Sequence, residues 1–197
     1  YEDADLLMTN VSAAARRISW NIDELCYVIE NAGLSGVWNF GRKVGDTITG
    51  KRRPVSSTWA SDSEITAEKV LRIALRTAKN KERFSPELIT RLREAELAIP
   101  DPWTDEIRQL FIDLLLVGHD AIPVFETLDQ LDLFVPFLPE WKPARSRPQR
   151  NAYHRFTVDR HLLETAAEAS KLVDRVKRPD LLVVGALLHD IGKPYPG

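Results

Sequence analysis

Residues 181–193 read Leu181-Leu-Val-Val-Gly-Ala-Leu-Leu-His189-Asp190-Ile-Gly-Lys193. Apolar residues on nearly every side of the segment before His189 predict a buried helix over Pro179–Ile191. An adjacent His-Asp pair closing such a helix offers an imidazole nitrogen and a carboxylate oxygen to one divalent ion. Burial of the helix would hold both ligands in place. Gly192 lets the backbone leave the helix, and Lys193 supplies a cation suited to a phosphate oxygen. As a bare dipeptide, His189-Asp190 is equally well read as a helix end with the imidazole favoured by the dipole. The apolar helix before it and the Gly-Lys after it favour a metal site.

A further ligand must come from upstream. His161 falls in the first turn of a helix expected over Asp159–Val176, with a turn at Lys177 to Asp180 before the next helix. If the two helices are antiparallel, the start of the first lies beside the end of the second. The spacing permits that meeting without requiring it. His154 precedes His161 by two helical turns and would share its face if the segment were helical. Asp159 reads as the helix cap, which puts His154 ahead of the helix, so a site residue and a buried structural histidine stay equally open. His119 follows Gly118 at a helix end and is read as solvent-facing or capping.

The remaining segments predict a mainly α chain, a helical bundle with a small β-hairpin. Asn10 to about Asn31 carries Val11, Ala14, Ala15, Ile18, Ile22, Leu25, Val28 and Ile29 at helical spacing, with Asn10 as cap and Gly33 beyond the end. Thr47 to Val55 alternates polar and apolar residues around Gly50-Lys51, which suits a hairpin, with Pro54 on an edge strand. Helices return over Thr66–Lys79, after Ser85-Pro86-Glu87, after Thr104 up to Gly118, and after Asp120 as a cap. Pro136, Pro139, Pro143 and Pro148 mark 134–149 as an irregular connector and a domain boundary.

Composition narrows the function classes. The chain has 197 residues, 44% hydrophobic and 28% charged, as in ordinary globular proteins. A net charge of −2 gives no overall pull toward nucleic acid or an anionic membrane surface. The apolar run at 181–188 is too short to cross a bilayer. The lone Cys26 excludes an internal disulfide and suits a reducing, cytoplasmic setting. Starting at Tyr1 and ending just after the His-Asp motif, the chain reads as a piece of something longer. Asp3-Ala-Asp5 resembles a magnesium-binding carboxylate pair, but no glycine loop precedes it, so it reads as an acidic helix start.

The run Tyr153-His-Arg-Phe-Thr-Val-Asp-Arg-His161, followed by Ala186-Leu-Leu-His-Asp-Ile-Gly-Lys193, resembles the HD domain of the PII uridylyltransferase/uridylyl-removing enzymes. Phe125-Glu-Thr-Leu-Asp-Gln-Leu-Asp-Leu-Phe134, Leu138-Pro-Glu-Trp141 and Ala13-Ala-Ala-Arg-Arg17 are similar to that family less specifically. The resemblance implies a bifunctional enzyme that attaches a uridylyl or adenylyl group to a PII nitrogen-regulatory protein and removes it again. It implies His161, His189 and Asp190 as metal ligands, Lys193 and His154 as catalytic residues, and magnesium or manganese as the metal. UTP or ATP would be the nucleotide donor of the full-length enzyme, PII its partner and glutamine its effector. It also implies three regions: 1–60 as the end of a transferase, 61–150 as a helical linker, and 151–197 as the truncated start of an HD domain. Pro194-Tyr-Pro-Gly197 departs from the family's Asp-His continuation, and its distal aspartate is not in this chain.

Two basic clusters, Arg42, Lys43, Lys51, Arg52 and Arg53, then Arg145, Arg147, Arg150, Arg155 and Arg160, read as solvated surface or, under this resemblance, as phosphate contacts. The same ligands would serve a nucleotide phosphohydrolase, and residues 62–150 alone would suit a non-catalytic interaction module.

Overall fold

The computed structural model describes residues 2–31, 53–54, 64–149 and 156–194. Eight α-helices follow one another among them: α1 (Glu2–Asn31), α2 (Ala67–Lys79), α3 (Pro86–Arg93), α4 (Asp105–Leu116), α5 (Ile122–Gln130), α6 (Trp141–Ala144), α7 (Val158–Ser170) and α8 (Pro179–Leu188). Two-residue strands β1 (Arg53–Pro54) and β2 (Glu82–Arg83) pair in parallel. Pro54 therefore pairs with a strand distant in the sequence rather than within a local hairpin. The rest of the expected hairpin lies outside the described residues.

Local chemistry sets three of the helix starts. Thr66, Ser85 and Thr104 each accept a hydrogen bond from the backbone N–H three residues on, at 3.3, 3.2 and 3.2 Å. Other starts differ from the sequence reading. The first helix begins at Glu2, so Asn10 lies within it. Ala121, not Asp120, holds the N-cap position of α5; Asp120 sits in a short 3-10 turn, Gly118–Ala121, and pairs with Lys81 at 3.1 Å. The N-cap position of α7 is Thr157 rather than Asp159, without a side-chain cap bond, and the helix ends at Ser170, with a separate 3-10 turn over Val173–Arg175. Gly118 has φ +77, and a Cβ there would lie 2.6 Å from the Ser170 hydroxyl, so glycine lets the α4–α5 corner meet the end of α7.

One hydrophobic core draws on α2 to α8. Its centre is aromatic: Phe134 meets Trp141 at 4.8 Å and Phe125 at 5.2 Å edge-on, and lies parallel to Phe111 at 6.2 Å. The irregular stretch 134–149 is thus a packed segment, with Phe134, Phe137, Trp141 and Ala144 buried.

Charge ties the outer helices to this core. Asp129 of α5 and Asp159 of α7 are 3% and 1% exposed. Arg16 of α1 bridges them at 2.9 and 2.7 Å. Asp129 also accepts from Trp141 Nε1 at 3.0 Å and Arg145 Nε at 2.7 Å, while Asp159 accepts from the backbone N–H of Ser146 at 2.8 Å. Helix α1 consequently turns Arg16, Trp20 and Asp23 toward the bundle, and its apolar Leu7, Val11, Ile18, Ile22 and Leu25 are exposed.

Candidate metal centre

Helix α8 differs from its sequence expectation. Val183 and Leu187 are buried, but Leu181 is 59% exposed and Leu188 is at the surface, so one face packs on α4 and α7. An apolar composition all round marks a helix that can be buried, whereas the neighbours decide how much of it is covered. Rigidity at the site comes from the packing of α8 against α7, the most extensive helix pair in the fold.

That packing sets the first turn of α7 against the end of α8. His161 Nε2 lies 3.3 Å from His189 Nε2, with the rings 5.2 Å apart and inclined at 64°. Asp190 Oδ2 is 3.1 Å from His189 Nε2 and 3.5 Å from His161 Nε2. One ligand atom from each of the three residues falls within 4.8 Å of the other two. All three side chains retain some exposure, at 23, 37 and 22%, which leaves the corner open to solvent.

The hydrogen-bonding around His189 is compatible with a metal-ligating role. Its Nδ1 lies 2.8 Å from the carbonyl oxygen of Ala186, one turn back in α8. A proton on Nδ1 donated to that carbonyl leaves the Nε2 lone pair facing His161 and Asp190, the arrangement a metal-ligating histidine adopts. Two imidazole nitrogens at 3.3 Å cannot both present lone pairs without a positive charge between or on them. Two imidazoles and a carboxylate make a donor set that can hold a divalent ion.

Lys193 points into the same corner. Its Nζ is 2.5 Å from Asp190 Oδ2 and donates to Gln149 Oε1 at 3.2 Å. Burial pushes the Asp190 carboxyl up, but the Lys193 hydrogen bond and the positive charge of His189, Lys193 and His161 together hold it below its ordinary value. Lys193 thus neutralises a candidate ligand rather than standing free for a phosphate. Gln149 escapes the sequence reading, because a polar residue in a proline-rich connector carries no motif. The Ala186 carbonyl is recoverable in principle, since a helical residue three positions back always lies within reach.

Of the other sequence candidates, His154 lies outside the described residues. His119 Nε2 sits 3.1 Å from Glu168 and 3.4 Å from Glu164 on α7, away from the corner. In the second basic cluster, Arg145 is held by Asp129 and Asp132, and Arg160 by Glu126 and Glu164, so neither is available to frame a phosphodiester. Arg150 and Arg155, and all of the first cluster except Arg53, lie outside the described residues.

Comparison with known proteins adds ancestry to this geometry. The HD domain family matches residues 158–197. A bifunctional uridylyltransferase/uridylyl-removing enzyme of Streptomyces coelicolor is 36% identical over 99% of this chain and 25% of its own length. The enzyme of the same name from Mycobacterium tuberculosis (strain CDC 1551 / Oshkosh) is 42% identical over 63% of this chain and 15% of its own length. That of Corynebacterium glutamicum is 34% identical over 64% and 18%. The chain thus spans a quarter or less of the length of these relatives. No solved structure matches it. Along almost its whole length the chain is homologous to the bifunctional uridylyltransferase/uridylyl-removing enzymes, and it carries an HD domain at its C-terminal end.

Proposed function

We propose that His161, His189 and Asp190 hold a divalent metal, and that they form part of a phosphodiesterase site that removes a nucleotidyl group from a PII-type nitrogen signal protein. The observation that carries this reading is the convergence of the three donor atoms within 4.8 Å, from residues 28 positions apart in sequence. When bound, the metal supplies an acidified water and stabilises charge on the phosphoryl group. The chain's own residues orient the ligands. The Ala186 carbonyl sets the His189 tautomer, Lys193 balances the Asp190 charge, and Gln149 steadies Lys193. Lys193 is close enough to exchange Asp190 for a phosphate oxygen, and His154, outside the described residues, is a catalytic residue only by the family resemblance.

At the level of the whole protein, the reading is a bifunctional enzyme of the cytoplasm. It transfers a uridylyl group from UTP, or an adenylyl group from ATP, to PII, and responds to glutamine. Within this chain, 1–60 would close the transferase region, 61–150 form the helical linker and 151–197 belong to the HD domain. The names of the homologues support the two opposed activities.

The test has two arms. Calorimetric titration of the 197-residue chain with Mn2+ should give saturable binding that His161→Ala and His189→Ala each remove. A protein of the relatives' full length, given uridylylated PII and Mn2+, should release UMP, and His189→Ala should stop it. Release from free phosphodiesters but not from modified PII would move the assignment to a nucleotide phosphohydrolase. No metal binding by either protein would end the metal reading.

A further inference from the structure

A cavity of about 320 Å³ lies between the inner side of α1 and the α2–β2, α5 and α7 elements. Four buried side-chain atoms among the described residues lack a hydrogen-bond partner: Trp20 Nε1, Asp23 Oδ1, Glu82 Oε2 and Arg83 Nε. All four residues line this one cavity. Buried polar atoms are almost always paired, so four orphans around a single void mark a place where partners are expected from outside the chain.

The orphans specify the chemistry of those partners. Two are carboxylate oxygens, which need donors, and two are N–H groups, which need acceptors. The cations nearby are already committed. Arg16 is shared by Asp129 and Asp159, Arg160 by Glu126 and Glu164, and Arg83 pairs with Glu24 through its terminal nitrogen. Asp23, 7% exposed, is left with an oxygen that accepts no hydrogen bond. Burial accordingly pushes its carboxyl above the ordinary value, with Arg83 opposing and Glu126 reinforcing the shift. Phe84, Ile89 and Val124 give the cavity an apolar side as well.

We propose that this cavity binds a small organic cation carrying its own oxygen acceptor. An ammonium nitrogen donates to Asp23 and Glu82, a carbonyl oxygen accepts from Trp20 and Arg83, and a short apolar group meets Phe84, Ile89 and Val124. The site is separate from the metal corner, since His161, His189 and Asp190 are not among its lining residues.

L-valinamide has all three parts and serves as the probe. Titrated into the 197-residue chain, it should shift the Trp20 indole N–H resonance, assigned through Trp20→Phe, to saturation. N-acetyl-L-valinamide, which lacks the cation, and 2-methylpropylamine, which lacks the oxygen, should bind at least tenfold more weakly. Asp23→Asn should weaken L-valinamide at least tenfold while the thermal midpoint holds. If that variant fails to fold, Glu82→Gln, on β2, should give the same loss. A cavity that holds only water would give no saturable shift. Equal binding of the neutral amide, or of L-valinamide by a folded Asp23→Asn or Glu82→Gln chain, would likewise overturn the proposal.

Discussion

The Asp129–Asp159 pair and the Asp190 corner both set carboxylates beside cations, and they differ in burial and in the kind of group that answers them. Asp129 and Asp159 are almost completely buried, and their oxygens receive Arg16, Arg145, the Trp141 indole and backbone N–H groups from three directions. Asp190 is partly exposed, and three nitrogens crowd a single oxygen of it, from His161, His189 and Lys193. In the first group each acceptor has its own donor, as a structural network must when water is excluded. In the second, Lys193 pairs with that oxygen while two imidazole nitrogens, groups that can act as metal ligands, gather beside it at the surface. Polar residues alone therefore do not mark a site. The difference lies in burial and in whether the converging groups include nitrogens that can act as metal ligands.

Breaking the first group should have the largest effect on stability. Asp129→Ala strips Arg16 and Arg145 of their shared acceptor and leaves the Trp141 N–H without one, and should destabilise the fold by about 3 kcal/mol. Denaturant unfolding would measure this as a lower midpoint at unchanged slope. A change below about 1 kcal/mol would mean the network is no more structural than a surface ion pair.

The second group should respond in the opposite sense. His189→Ala should weaken Mn2+ about 100-fold, or ~2.7 kcal/mol of binding, while folding stability moves by less than about 1 kcal/mol. Calorimetry beside thermal unfolding reads both quantities. A large stability loss with unaltered metal affinity would place His189 with the structural carboxylates.

A finer cut uses charge without shape. Arg145 reaches Asp129 through Nε, Asp132 through Nη1 and the Asp129 carbonyl through Nη2. Arg145→Lys keeps the charge but loses this fork, and should cost about 1 kcal/mol in the same unfolding measurement. Full retention of stability would show that charge alone suffices there.

The smallest expected effect depends on pH. The Asp190 carboxyl is held below its ordinary value in the folded chain, so its contribution to stability is present at neutral pH. That contribution fades as pH falls below about 4. Without metal, Lys193→Met removes the nearest of the charges responsible. Wild type and variant should therefore differ slightly at about pH 7 and converge in acid, as read by thermal unfolding across that range. A difference that grows on acidification would show that Lys193 stabilises something other than the Asp190 carboxylate.

Several features are legible in the order of residues itself. Thr66, Ser85 and Thr104 cap helices in place, because a hydroxyl answering an N–H three residues on is a local event. His189 and Asp190 stand out because two polar residues close an apolar helix and are followed by Gly-Lys. Less local assignments fare worse. Asp159 has the composition of a cap, yet its carboxylate is drawn to Arg16, remote in sequence and on another helix. The apolar run of α8 suggests burial all round, while its neighbours cover one face.

Sequence alone determined the helical class and the helix starts at Thr66, Ser85 and Thr104, since these depend on neighbours within a turn or two of the chain, and it singled out His189 and Asp190 as candidates, with His161 added by the family resemblance. Tertiary structure alone decided that His161 meets His189, that Arg16 unites Asp129 with Asp159, and that four unpartnered polar atoms share one cavity. Each of those is a contact between residues far apart in sequence. Local spacing can permit such contacts, but only the packing of one helix against another creates them.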